Sequence, residues 1–154
     1  MGIRLSSPAF QEGETIPRAH TADGKNVSPR LTWGDAPEGT ASFALVCEDP
    51  DAPRGTWTHW VLFNLPAGTT GLPEGTATDK ELPNGARQEK NDFGKIGYGG
   101  PSPPKGPPHR YYFKVYALDT KLDLSAGASR ADVLGALKGH VQAEGHVMGK
   151  YGRS

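Results

Sequence analysis

The chain carries 21 glycines and 14 prolines among its 154 residues, and where they fall constrains the fold more than any other feature. A fraction this high borders on low complexity or disorder. Distribution decides against disorder: the glycines and prolines sit between short apolar runs, which is the spacing of an all-β domain with many turns. FALVC (43–47), TWTHWVLFNL (56–65) and RYYFKVYAL (110–118) are rich in aromatic and β-branched residues and are the clearest strands. SPRLTWGDAP near the start and HVMGKYGR near the end supply further, shorter candidates.

One helix is indicated. Ser129 followed by Asp132 reads as a capping box, and Val133, Leu134, Leu137 and Val141 then share one face at helical spacing. With glycines at 135 and 139 it must lean on the sheet, so its role is structural. Residues 66–96 are polar and turn-rich and should form long loops with one strand at most. The length fits a single domain over 1–154, large enough to bury about two-thirds of its unfolded surface.

Charge narrows the function classes. Lys+Arg and Asp+Glu are equal at 17 each, so the field that concentrates nucleic acid or anionic membrane is absent and any bound anion is held locally. Single Cys47 lies in an apolar run and reads as a buried, inert thiol. No window approaches the roughly 20 apolar residues of a membrane span and no signal-peptide core opens the chain, so a cytoplasmic protein is expected.

Strand parity aims polar groups at one place. In TWTHWVLF, Trp57, His59, Val61 and Phe63 share a face; in HRYYFKVYA, His109, Tyr111, Phe113, Val115 and Ala117 share the more apolar one. His59 and His109 each start a strand beside an aromatic and adjoin a Pro/Gly loop, the setting of a pocket at a sheet end. His20, His140 and His146 lack that setting and read as surface or structural. In EDPDAP, Asp49 and Asp51 alternate with prolines: one is expected to serve the turn, the other to accept a ring N–H from the histidines and set its tautomer.

The blocks CEDPDAP, TWTHW and GYGGPSPPKGPPHRYYF, in that order, resemble the signatures of the phosphatidylethanolamine-binding protein family, in particular its bacterial and archaeal branch, often labelled Raf kinase inhibitor-like. SPAFQEGETIP and KNVSPRLTWGDAPEGTASFAL resemble that family's opening, so the likeness runs over nearly the whole chain. The resemblance implies a mainly β fold, two antiparallel sheets in a Greek-key sandwich, with a small anion pocket. By motif position the pocket would hold Asp49, Trp57, His59, Pro104, His109 and Tyr111, with backbone N–H groups from Gly99 and Gly100. Three departures bear on it: the loop before His109 is short, Ser102 stands where glycine is common, and the chain stops soon after YGRS without the C-terminal helix of animal members. The mouth is then more open or covered by a partner subunit, and a homodimer is compatible.

Two features give the expected activity its shape. Glycines let backbone approach a ligand and prolines fix that approach, so the 97–108 loop reads as a rigid oxyanion cradle. The expected function is non-catalytic capture, without a cofactor, of a small phosphate- or carboxylate-bearing ligand such as a phosphoethanolamine head group. The competing readings are a metal-assisted hydrolase using Asp49, His59 and His109, and a proline-rich interaction module built on PSPPKGPP. No nucleophile elbow, P-loop, H-E-x-x-H or dinucleotide fingerprint is present.

Overall fold

A computed structural model describes residues 2–124 and 129–153. The longest apolar run forms the spine. β3 (Ser42–Asp49) is buried at all eight positions, as a strand flanked on both sides must be. It lies between β4 (Trp57–Pro66) and β7 (His109–Leu118), and β6 (Arg87–Gln88) and β8 (Val141–Tyr151) complete the sheet in the order β6-β4-β3-β7-β8. A second sheet, β1-β2-β5, joins Arg4–Ser6, Leu31–Gly34 and Gly71–Leu72. Every ladder in both sheets is antiparallel.

The main core fills the space between the sheets. Leu5, Leu31, Trp33 and Leu72 from the small sheet meet Phe43, Leu45, Trp60, Phe113 and Val147 from the large one. On the other face of the large sheet, Ala44, Val61, Phe63 and Leu118 pack under Val133 and Leu137 of α1 (Arg130–Leu137). The expected capping box is present: Ser129 Oγ accepts the Asp132 N–H, and the Asp132 carboxylate accepts the Ser129 N–H. The helix is shorter than its apolar spacing implied. Gly139, at φ 82°, turns the chain just beyond it, and Val141 opens β8 instead of extending the helical face. Buried Glu48 accepts from both Lys114 and Arg130, tying the helix start to the sheet.

Three further differences from the sequence expectations stand out. Residues 66–96 hold two strands of two residues each, β5 and β6. β1 was not among the expected strands, and β8 begins well before HVMGKYGR. The third concerns phase within β4. Cys47 pairs with Trp60 and Glu48 with Thr58, so His59 is an extra residue, a β-bulge. Val61 and Phe63 consequently face α1, while His59 joins Trp57 on the inter-sheet side; simple alternation had put all four together.

Candidate ligand-binding site

One end of the large sheet gathers the C-terminus of β3 and the starts of β4 and β7. Asp49 lies opposite Trp57 in the β3–β4 ladder, the bulge turns His59 inward, and β7 contributes His109 and Tyr111 from alternate positions. These side chains line a cavity of about 200 Å³. Ala52 and Pro53 from the β3–β4 connection, Ser102, Pro103 and Pro104 from the loop before β7, and Phe93 complete its lining. Phe93 is 41 % exposed, the one large apolar side chain so exposed among the described residues.

The polar groups are held in a fixed order. Asp49 is buried; its Oδ1 accepts the Asp51 N–H at 2.8 Å and its Oδ2 accepts His109 Nδ1–H at 2.7 Å. An acceptor-only carboxylate puts the ring proton on Nδ1. His109 Nε2 has no protein partner among the described residues. His59 Nδ1–H donates to the Gly99 carbonyl at 2.6 Å. Burial is the main influence on that imidazole and pushes its pKa below the usual value, against the pull of the Gly99 carbonyl and the Asp49 carboxylate, so the ring is neutral near pH 7. The Tyr111 phenol is pushed far up, chiefly by burial, and remains a donor. Its hydroxyl and the Trp57 indole N–H are buried without a hydrogen-bond partner among the described residues.

Aromatic rings stand across one another around these groups. His59 meets Phe93 at 67° and Tyr111 at 80°, with centroids 5.4 and 5.2 Å apart, and Trp57 meets Phe93 at 68°. Such edge-to-face contacts fix ring orientation beyond what burial alone does.

The two aspartates divide their work differently from expectation. Asp49 serves both the local turn and the histidine, while Asp51 pairs with Arg110, accepting from its guanidinium and from its backbone N–H. The guanidinium holds the Asp51 carboxyl at about 2, below the ordinary 3.8. A depressed carboxyl pKa stabilises the fold above the ordinary value, and the contribution disappears as pH falls from about 4 toward 2. A carbon-detected NMR titration is expected to give an Asp51 midpoint near 2 that returns toward 3.8 in Arg110→Ala; an unchanged midpoint would remove the pairing.

The glycine cradle requires correction. The Gly99 N–H donates to the His59 carbonyl at 2.9 Å and the Gly100 N–H to Asn26 Oδ1 at 2.7 Å, so neither amide is open to a ligand. Gly100 does not line the cavity. A Cβ there would lie 2.4 Å from the His20 carbonyl oxygen, so its glycine is needed for close packing of the loop. Of the residues the sequence proposed, Asp49, Trp57, His59, Pro104, His109 and Tyr111 converge on the cavity. Ala52, Pro53, Phe93, Ser102 and Pro103 were missed as lining residues. Phe93 carried a signal, an aromatic stranded in the turn NDFG with no alternating partner; Asn91 Oδ1 accepts its N–H and shapes that turn.

Other candidates fall outside. His20 is buried with Nδ1 against the Val27 carbonyl, and His140 pairs with Asp119 in a more exposed position. Among the described residues no three His, Cys, Asp or Glu side chains are arranged to hold a metal. In PSPPKGPP, Pro101 and Pro103 are buried and the Pro101 carbonyl accepts the Ala22 N–H, so the start of the stretch is packed into the fold, while Pro104, Pro107 and Pro108 are exposed. Among the described residues no helix is long and apolar enough to cross a membrane.

Comparison with known proteins decides the lineage. The family model for phosphatidylethanolamine-binding protein matches residues 6–152. The chain belongs to that family. A UPF0098 protein of Methanothermobacter thermautotrophicus is 50 % identical over 151 residues, covering 98 % of this chain and 99 % of the relative. The UPF0098 protein YbhB of Escherichia coli is 47 % identical over 139 residues, 85 % of this chain and 88 % of its own length. The crystal structure of E. coli YbcL, described as a new member of the mammalian PEBP family, superposes with a TM-score of 0.92 at 39 % identity over the full length of both chains. The family assignment accounts for the two antiparallel sheets and for the order of the sequence blocks.

Proposed function

We propose that this member of the family is a non-catalytic binding protein that captures a small ligand through a phosphate or carboxylate head group. The observation carrying this reading is the pair of unpartnered buried donors, Tyr111 Oη–H and Trp57 Nε1–H, in residues that line one cavity with the Asp49-oriented His109. A buried donor left unpaired costs about 1–3 kcal/mol, which an anionic oxygen recovers as a charge-assisted bond. Proline and phenylalanine walls suit the ligand's organic remainder.

Charge sets the pH response. Among the described residues no Lys or Arg side chain lines the cavity, and Asp49 repels an anion unless an imidazole takes up a proton. Burial disfavours that proton on His59, and the Asp49 carboxylate faces the His109 ring beside it. Proton uptake on binding means that affinity rises as pH falls. An ammonium on the ligand would relieve the same repulsion, which favours a phosphoethanolamine head group over free phosphate.

Isothermal titration with inorganic phosphate and phosphoethanolamine tests the reading. His109→Ala is expected to weaken both by about tenfold, the loss of one charge-assisted hydrogen bond. Undiminished binding in that variant would defeat the assignment.

A further inference from the structure

The Ser102–Pro104 wall has few means of holding itself. Pro101, Pro103 and Pro104 have no N–H to donate, so the wall keeps its shape only through donors brought to its carbonyls from elsewhere. Two arrive. Ala22 N–H donates to the Pro101 carbonyl at 2.9 Å, and Arg153 Nη1–H donates to the Pro103 carbonyl at 3.0 Å. Arg153 also reaches Ser102 Oγ through Nη2 at 3.3 Å. The other edge of the same guanidinium grips Asp23, with Nη2 to Oδ1 at 2.8 Å and Nε to Oδ2 at 3.1 Å, and the Tyr151 hydroxyl donates to that Oδ2 at 2.6 Å. Backbone joins the clamp, as Gly106 N–H donates to the Arg153 carbonyl at 2.9 Å. Both wall donors thus rest on the Thr21–Asp23 turn and the end of β8.

We infer that Arg153 is the positioning residue of the ligand cavity, fixing its proline wall by joining Pro103 and Ser102 to Asp23 through one planar guanidinium. It does not line the cavity itself, and it acts through the wall. Among the described residues it is the only arginine bonded to a cavity-lining residue. The geometry demands the fork. A lysine ammonium is a point charge on a flexible stem and cannot face a carboxylate and a carbonyl at once in fixed directions. Asp23 in turn is held near 2, mainly by its bond to Arg153 and next by that to Tyr151, so the clamp stays charged throughout the neutral range.

The inference rests on the reading of the cavity as a ligand site, and its test has an arm that needs no ligand. Amide exchange at Ala22 and Gly106, whose N–H groups donate to the Pro101 and Arg153 carbonyls, is measured in the wild type, Arg153→Ala, Arg153→Lys and Asp23→Asn, followed by titration of each with inorganic phosphate. Exchange at these amides is expected to quicken by about tenfold in all three variants, and phosphate affinity to fall by about tenfold in both Arg153 variants. Restoration of wild-type exchange and affinity by lysine would reduce Arg153 to a charge and overturn the positioning role. So would faster exchange with unchanged affinity, which would make the clamp structural only. If the wild type itself bound no phosphate, the ligand reading would fall while unaltered exchange in Arg153→Ala would separately sink the clamp. Asp23→Asn keeps the side-chain volume and serves where the Arg153 variants fold poorly.

Discussion

Trp60→Ala is expected to cost about 3–5 kcal/mol of stability, the range for truncating a fully buried tryptophan. The side chain is completely buried, opposite Cys47 and next to the bulge at His59. Its indole N–H donates to Gln88 Oε1 at 2.7 Å, and Gln88 Nε2 donates in turn to the Ala77 and Asp79 carbonyls. Its ring stands edge-on to Tyr98, which stacks on Phe113. Truncation therefore opens a cavity and strands a buried amide oxygen together. For a chain of this length the loss lowers Tm by roughly 10 °C. Trp60→Phe separates the two contributions, since it keeps most of the volume and loses only the hydrogen bond, at about 1–3 kcal/mol. Urea unfolding decides: a loss below 2 kcal/mol in the alanine variant would mean the site can collapse. Because Trp60 adjoins the bulge, the alanine variant should also bind ligand more weakly than its stability loss alone implies.

That bulge marks where sequence reasoning reached its limit. Aromatic and β-branched content marked β3, β4 and β7 as strands, and period-two alternation then sorted the side chains of β4 and β7. It assigned His109, Tyr111, Phe113, Val115 and Ala117 to one face, and all but His109 lie in the inter-sheet core, with His109 at its mouth. In β4 the same rule failed at His59, since an inserted residue leaves no mark in composition. β8 was hard to read for a different reason. Gly145 and Gly149 interrupt it where a Cβ would strike the Ile3 carbonyl oxygen at 2.0 Å or Ile16 at 2.5 Å, so close approach from other segments, not local propensity, dictates those residues. Arg153 and Asp23 lie at opposite ends of the chain, and nothing near either one announces their pairing. The glycine cradle misled because GYGG reads as open backbone, whereas its amides are engaged by His59 and Asn26. Proline-rich loops were legible as rigid, but which prolines turn inward depends on what clamps them.

Tyr111→Phe separates function from stability by moving them in opposite directions. The hydroxyl is buried with no hydrogen-bond partner among the described residues, and a buried unpaired polar group destabilises a fold by about 1–3 kcal/mol. Removing that oxygen while keeping the ring preserves the edge-to-face contact with His59 and the stack on His109. The variant should therefore be as stable as the wild type or about 1 kcal/mol more so. Ligand affinity is expected to fall by about 10- to 100-fold, the equivalent of one hydrogen bond to a charged oxygen. Such a pairing, with stability held or gained and binding lost, is the signature of a group retained for its ligand at the expense of the free protein. Chemical denaturation and phosphoethanolamine titration of the same preparation test both halves. A less stable variant with wild-type affinity would show that the hydroxyl serves the fold, and the cavity would then lose one of the two donors on which the ligand reading depends.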